Sequence, residues 1–116
     1  MPWCHNSIEA MSVGSIPILE YGHLFHPELE HLKNCLAYSD YSDLARVLNM
    51  ALSMDAKEIE TLRRNVLDYY AKYLSVESVT TRIKRFFVSG NRTLSVSVPF
   101  IPTLEEAKAI PARAAT

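Results

Sequence analysis

The clearest pattern in the chain is a helical repeat of apolar residues through its middle. The spacing predicts one helix from Asp43 to Met54 and a longer one from Asp55 to Leu74. Asp55 and Glu58 have the spacing of a capping box, which marks the start of the second helix. The apolar face of the first helix is Leu44, Val47, Leu48, Ala51 and Leu52, and that of the second is Ile59, Leu62, Val66, Tyr69, Tyr70 and Tyr73.

A third helix follows Ser75, which is a good N-cap residue. The pattern is broken at Gly90–Asn91. The inner face of this helix is expected to be Val76, Val79, Ile83 and Phe86 or Phe87. We interpret the three tyrosines of the preceding helix as packing residues rather than as a platform for base stacking.

The N-terminal part of the chain predicts a short helix that runs directly into a short strand. Asn6 is a suitable N-cap for a helix from Asn6 to Val13, and Glu9 follows it at capping-box spacing. Gly14 is expected to end this helix with a positive φ. The next residues, Ser15–Leu19, predict a buried strand in which Pro17 belongs at an edge or at the start.

Between this strand and the helices the sequence predicts a loop and a second strand. The loop covers Glu20–Lys33, with a helical turn near Pro27–His31, and the strand covers Asn34–Tyr38. Two short strands do not make a stable parallel sheet alone. We therefore expect them to be the edge of a larger sheet whose other strands are absent.

The end of the chain differs from the rest. "TLSVSV", which follows Asn91 and Arg92, alternates like one strand or an extended arm. Residues 91–116 include three prolines and an alanine-rich end, so we expect an extended arm and a poorly ordered tail.

Composition excludes several classes of function. The formal net charge of -1 provides no global field for nucleic acid or an anionic membrane. The sequence contains neither an apolar run long enough to span a membrane nor a signal peptide, which favours a cytoplasmic protein, although a fragment would lack any upstream targeting segment. We interpret Cys4 and Cys35 as reduced, since two cysteines give no disulfide framework.

Two groups of charged side chains are interpreted as ordinary surface residues without a specific function. His23, His26 and His31 lie near Glu28 and Glu30, but no metal-ligand spacing is fixed among them, so no metal site is expected. The basic residues near the third helix are interpreted as a solvated face. Docking of a missing domain or of an anionic membrane remains an alternative for them, without further support: they are Arg82, Lys84, Arg85 and Arg92.

The start of the first helix is the strongest candidate for chemistry. A helix N-terminus presents unpaired N–H groups and partial positive charge, so it binds phosphate. His5, Asn6 and Ser7 would add donors for a diphosphate, and the Glu9 carboxylate could accept hydrogen bonds from both hydroxyls of a ribose. A plain capping box without a ligand is the alternative, and spacing alone favours it.

The segment "NSIEAMSVGSIPIL" resembles the donor-binding helix and the following strand of glycosyltransferases with two facing Rossmann-like domains, the GT-B architecture. The resemblance implies that Glu9 holds the nucleotide ribose and that the backbone around Asn6–Ser7 holds the diphosphate. It implies an α/β fold: the C-terminal part of a Rossmann-like GT-B domain, helix-rich, with two or three short strands. Residues 1–90 would be this partial nucleotide-sugar-binding domain.

The sequence also differs from the pattern of this family. Many members carry two glutamates eight positions apart, and Met1 stands where the first would be. Other branches place a histidine and an Asn-Ser pair before the glutamate, which "CHNSIEA" approaches with a spacing that differs by one residue, so His5 is a weak match.

For function, the resemblance implies a donor-binding portion of a hexosyltransferase-like enzyme that acts on an unknown acceptor. Its ligand would be a nucleotide-sugar, without metal or other cofactor, and a missing N-terminal domain would bind the acceptor. The isolated chain is then expected to lack catalysis. A small helical protein-interaction module without enzymatic activity is the alternative, and a truncated product without function is a third.

Overall fold

A computed structural model describes residues 5–90, and in this part the chain is mainly helical with a two-stranded parallel sheet. The predicted arm and tail, and the positions of Met1 and Cys4, lie outside the described residues. In chain order the elements are α1 (His5–Ser12), β1 (Ile18–Leu19), a 3₁₀ turn (Gly22–Leu24), β2 (Leu36–Ala37), α2 (Tyr41–Ser53), α3 (Ala56–Tyr69), a π-helix (Tyr70–Leu74) and α4 (Val76–Val88).

The start of α1 differs from the prediction, whereas its end agrees. The helix begins at His5, so Asn6 lies inside the first turn and is not the cap. A capping residue needs non-helical backbone, and no side-chain hydrogen bond joins Asn6 to Glu9. At the other end Gly14 has a φ of +76°, as expected. The Ser15 N–H donates to the Ala10 carbonyl at 3.0 Å, which is the long bond of a Schellman turn.

The two strands exist where they are predicted, but each pairs over only two residues. Ile18 pairs with Leu36 and Leu19 with Ala37, in parallel. Pro17 lies just before β1, as expected, and its carbonyl accepts a hydrogen bond from the Leu36 N–H at 2.8 Å. Because proline has no N–H, the pairing cannot extend regularly through it.

The helical turn predicted near Pro27–His31 is wrong, since the helical turn of this loop lies at Gly22–Leu24. The Gly22 carbonyl accepts hydrogen bonds from the N–H groups of Phe25 and Leu29, at 3.2 and 3.1 Å. Phe25 and Leu29 are both buried, so the loop folds around these two apolar side chains.

The starts of α2 and α3 are set by aspartates. Asp40 caps α2 by accepting hydrogen bonds from the N–H groups of Ser42 and Asp43, at 2.8 and 2.9 Å, so this helix begins before the predicted Asp43. The capping box of α3 is confirmed. Asp55 accepts from the Glu58 N–H at 2.8 Å, and Glu58 accepts from the Asp55 N–H at 3.0 Å. The π-helix that follows α3 was not predicted.

The core draws on both halves of the chain. Val66 and Tyr69 of α3 belong to a cluster with four buried residues from the N-terminal half: Met11, Phe25, Leu29 and Cys35. A second cluster contains Leu36, Val47 and Leu62. Tyr70 and Tyr73 pack against the first cluster, which confirms the packing role of the tyrosines. The helices α2, α3 and α4 therefore do not enclose a core by themselves.

The cap of α4 is confirmed, whereas of its predicted inner face only Phe86 is half-buried. Ser75 accepts a hydrogen bond from the Ser78 N–H at 3.1 Å. No residue of α4 is buried, and Val76, Ile83 and Phe87 are 80%, 41% and 54% exposed. The opposite, polar face of α4 is hydrogen-bonded to the π-helix through Ser78 and Arg82. Within residues 5–90, no helix combines the length and the apolar character needed to cross a membrane.

Candidate functional site

Helix α1, which carries the candidate site, is held in place by the packing of its buried face. Met11 is fully buried in the first core cluster, and α1 contacts both α3 and the π-helix. A Cβ built on Gly14 would lie 3.3 Å from Cγ and Cδ1 of Leu67, so the helix end is pressed closely against α3. This anchoring gives α1 a fixed orientation and leaves its other face open.

The structure brings the four candidate residues together within the first turns of α1. His5 and Glu9 are one turn apart on the same exposed face. Asn6 is also exposed, whereas Ser7 is half-buried. The first N–H groups of any α-helix lack acceptors within the helix, and they favour an anion at this end. A diphosphate near His5–Ser7, with a sugar hydroxyl pair near Glu9, fits this order of groups.

The buried ionisable groups near this helix are not reactive at neutral pH. Burial raises the pKa of the Cys35 thiol to about 11, and the charge of Glu30 adds to the effect. A thiol with such a pKa is a poor nucleophile near neutral pH. Burial also raises the pKa of Tyr69 to about 12, with a further contribution from Tyr73.

The histidine and glutamate group of the loop is spread over the surface. All five side chains are exposed: His23, His26, Glu28, Glu30 and His31. Nδ1 of His31 accepts a hydrogen bond from the Ala37 N–H at 3.0 Å, and Glu30 forms an ion pair with Lys33 at 2.6 Å. In residues 5–90, no group of three or more His, Cys, Asp or Glu residues is arranged to hold a metal ion.

A second feature involves two of the basic residues that the sequence analysis interpreted as a solvated face. Arg82 and Arg85 line an open groove between α4, the π-helix and the loop at Pro27, which we call the basic groove. Its lining is His26, Pro27, Lys72, Tyr73, Glu77, Ser78, Thr81, Arg82 and Arg85. The sequence feature that could have indicated this groove is the spacing of Ser78, Arg82 and Arg85, which places them on the face of α4 opposite its apolar stripe.

Comparison with known proteins gives no match: no protein family model matches the chain, and no curated protein or solved structure is significantly similar to it.

Proposed function

We propose that this chain is the nucleotide-sugar-binding portion of a glycosyltransferase of the GT-B architecture. The observation that carries the proposal is the conformation of the motif Asn6–Leu19. In the structure this motif is a short helix, a glycine turn with positive φ and a proline-led strand that pairs in parallel. Parallel pairing is characteristic of α/β sheets, to which Rossmann-like domains belong.

The position of Glu9 also supports the proposal. Its helix is held by buried Met11, whereas Glu9 itself is exposed. The Glu9 carbonyl accepts a hydrogen bond from the Ser12 hydroxyl at 2.6 Å, so the backbone at this position is tied into the helix. A carboxylate on a fixed backbone, without a side-chain hydrogen bond to Asn6, is available to accept hydrogen bonds from a ribose.

In this proposal the chain binds the donor and does not perform the transfer. The acceptor site and the group that activates the acceptor would belong to a facing N-terminal domain. The backbone of Asn6–Ser7 would bind the diphosphate, and the Glu9 carboxylate would bind the ribose. His5 is an additional donor at the phosphate end, and no metal ion or other cofactor is part of the proposal.

The test is binding of nucleoside diphosphates to the chain by isothermal titration calorimetry. Uridine, guanosine and adenosine diphosphates are compared, and Glu9→Ala is expected to weaken the best of them by about tenfold, which corresponds to the loss of a hydrogen-bonded charge. Glu60→Ala, at an exposed position on α3, is the matched control and should leave affinity unchanged. Absence of binding by every diphosphate, or equal affinity in Glu9→Ala and the unaltered chain, would overturn the proposal.

The helical interaction module is not put forward as a second function. It requires α2, α3 and α4 to fold around a core of their own, whereas Val66 and Tyr69 are buried against the N-terminal half. A fragment of residues 40–90 would thus expose much of α3. Thermal melting of that fragment and of the full chain tests whether the three helices fold by themselves. A cooperative transition in the fragment would support the interaction module.

A further inference from the structure

Helix α4 differs from an ordinary amphipathic surface helix, because neither its apolar stripe nor its polar face is buried. Such a helix turns its apolar stripe toward the core and its charges toward water. Here the apolar stripe of α4 is only partly covered: Phe86 is half-buried, whereas Val79, Ile83, Phe87 and Val76 are 38%, 41%, 54% and 80% exposed. The opposite face lines the basic groove through Glu77, Ser78, Thr81, Arg82 and Arg85. The charged side chains of this face, Glu77, Arg82 and Arg85, are exposed and line the groove.

Hydrogen bonds hold this polar face in place. Nη2 of Arg82 donates to the carbonyl of Tyr73 at 2.5 Å, and the Ser78 hydroxyl donates to the carbonyl of Lys72. Both acceptors belong to the π-helix, whose wider turn changes the direction of its carbonyl groups relative to an α-helix. Nζ of Lys72 lies 5.2 Å from the centre of the Tyr73 ring, so this cation is directed along the groove wall as well.

The charges of the basic groove are unbalanced. Its lining contains three permanent cations, Lys72, Arg82 and Arg85, and one carboxylate, Glu77. None of these four forms an ion pair with another residue between 5 and 90, where the salt bridges are Lys33–Glu30 and Arg46–Asp43. The whole chain has a net charge of -1, so this excess of positive charge is local. Cations gathered around a groove repel each other, and an anion between them removes the repulsion.

The size and donors of the groove define the class of anion. Its volume of about 850 Å³ is in the range of small-molecule sites. Arginine presents a planar fork of N–H donors that matches phosphate oxygens, and lysine adds a point charge. The Thr81 hydroxyl, on the same wall, is a further donor.

We propose that the basic groove binds a phosphate-bearing anion through Lys72, Arg82 and Arg85. This site contains none of the α1 residues and goes beyond the proposed donor site. Arg82 also braces α4 against the π-helix, so Lys72 and Arg85 are the residues that an experiment should remove.

The test uses the full chain and inorganic pyrophosphate, titrated by calorimetry at low and at high salt. The double variant Lys72→Gln/Arg85→Gln is expected to raise the Kd by at least about tenfold, since two charge-assisted contacts are lost. Lys84→Gln is the matched control, because Lys84 is an exposed cation of the same helix outside the groove lining, and it should change the Kd by less than about twofold. Circular dichroism checks that each variant retains its helices.

A second arm separates the two sources of the phosphate group. Sedimentation with vesicles of phosphatidic acid, against phosphatidylcholine alone, measures binding to a lipid headgroup. Binding in either arm supports the site if the double variant weakens it by at least about tenfold and Lys84→Gln does not. Absence of binding in both arms, or an equal loss in Lys84→Gln, overturns the proposal. Nucleoside diphosphate binding separates this result from the donor site, because the loss of affinity caused by Glu9→Ala should be the same with and without the Lys72→Gln/Arg85→Gln substitutions.

Discussion

The close contact of Gly14 with α3 makes a quantitative prediction for the substitution Gly14→Ala. The backbone there has a φ of +76°, and a left-handed conformation costs a residue with a Cβ about 1–2 kcal/mol. The new Cβ would also lie 3.3 Å from Cγ and Cδ1 of Leu67, which adds about 1 kcal/mol of overpacking. Restricting the unfolded chain returns about 0.4–1 kcal/mol, so the net loss of unfolding free energy is about 1–2.6 kcal/mol.

The assay is equilibrium unfolding in urea, followed by far-ultraviolet circular dichroism. A double-mutant cycle with Leu67→Ala separates the two contributions, because removing the Leu67 side chain relieves the contact and keeps the backbone cost. In the Leu67→Ala background, Gly14→Ala should therefore cost about 1 kcal/mol less.

The matched control is Gly90→Ala. Gly90 has a φ of +85°, but a Cβ there would have no atom within 4 Å, so only the backbone cost applies. Its effect should not depend on Leu67. The reasoning is refuted if Gly14→Ala costs less than about 0.5 kcal/mol, or if its cost is the same with and without the Leu67 side chain.

Two further predictions concern buried groups. Tyr69→Phe removes the hydrogen bond to the carbonyl of the exposed Pro27 and should cost about 0.5–1.5 kcal/mol in urea unfolding. Tyr70→Phe should cost less than about 0.5 kcal/mol, and equal losses in the two variants would contradict this role of Tyr69. Because burial raises the pKa of Cys35 from 9.0 to about 11, its contribution to stability is complete below pH 9 and is lost as the pH rises toward 11. In Cys4→Ser, iodoacetamide should alkylate folded Cys35 more slowly than the urea-unfolded thiol at pH 8, and equal rates would refute the effect of burial.

The sequence predicted those elements whose signals are local. Helix α3 is an example, because Asp55 and Glu58 make both hydrogen bonds of the capping box and the apolar spacing selects Leu62 and Val66 for the core. Gly14 is another, since its positive φ follows from the end of one helical pattern.

The sequence-based predictions fail where tertiary contacts, rather than the local sequence, determine the structure. An apolar stripe in α4 predicts burial, but it cannot show that the π-helix offers carbonyl groups to Arg82 and Ser78 on the other face. The π-helix itself has no local signal in the pattern, because the tyrosines at its start continue the stripe of α3. For the candidate site, the sequence located Asn6–Glu9 on one helix, but it started that helix at Asn6, whereas the helix begins at His5.

The sharing of the core between the two halves has a consequence for how the chain folds during synthesis. Met11, Phe25 and Leu29 leave the ribosome well before Val66 and Tyr69, their partners in the core. The hydrogen bond between Tyr69 and Pro27 closes a loop of 42 residues. Until α3 emerges, the apolar side chains of the first third have no partner among the later core residues, and a nascent chain in that state is exposed to aggregation. The folding of this part of the chain thus depends on its last contributors, and a ribosome that pauses before α3 prolongs the period in which chaperones are needed.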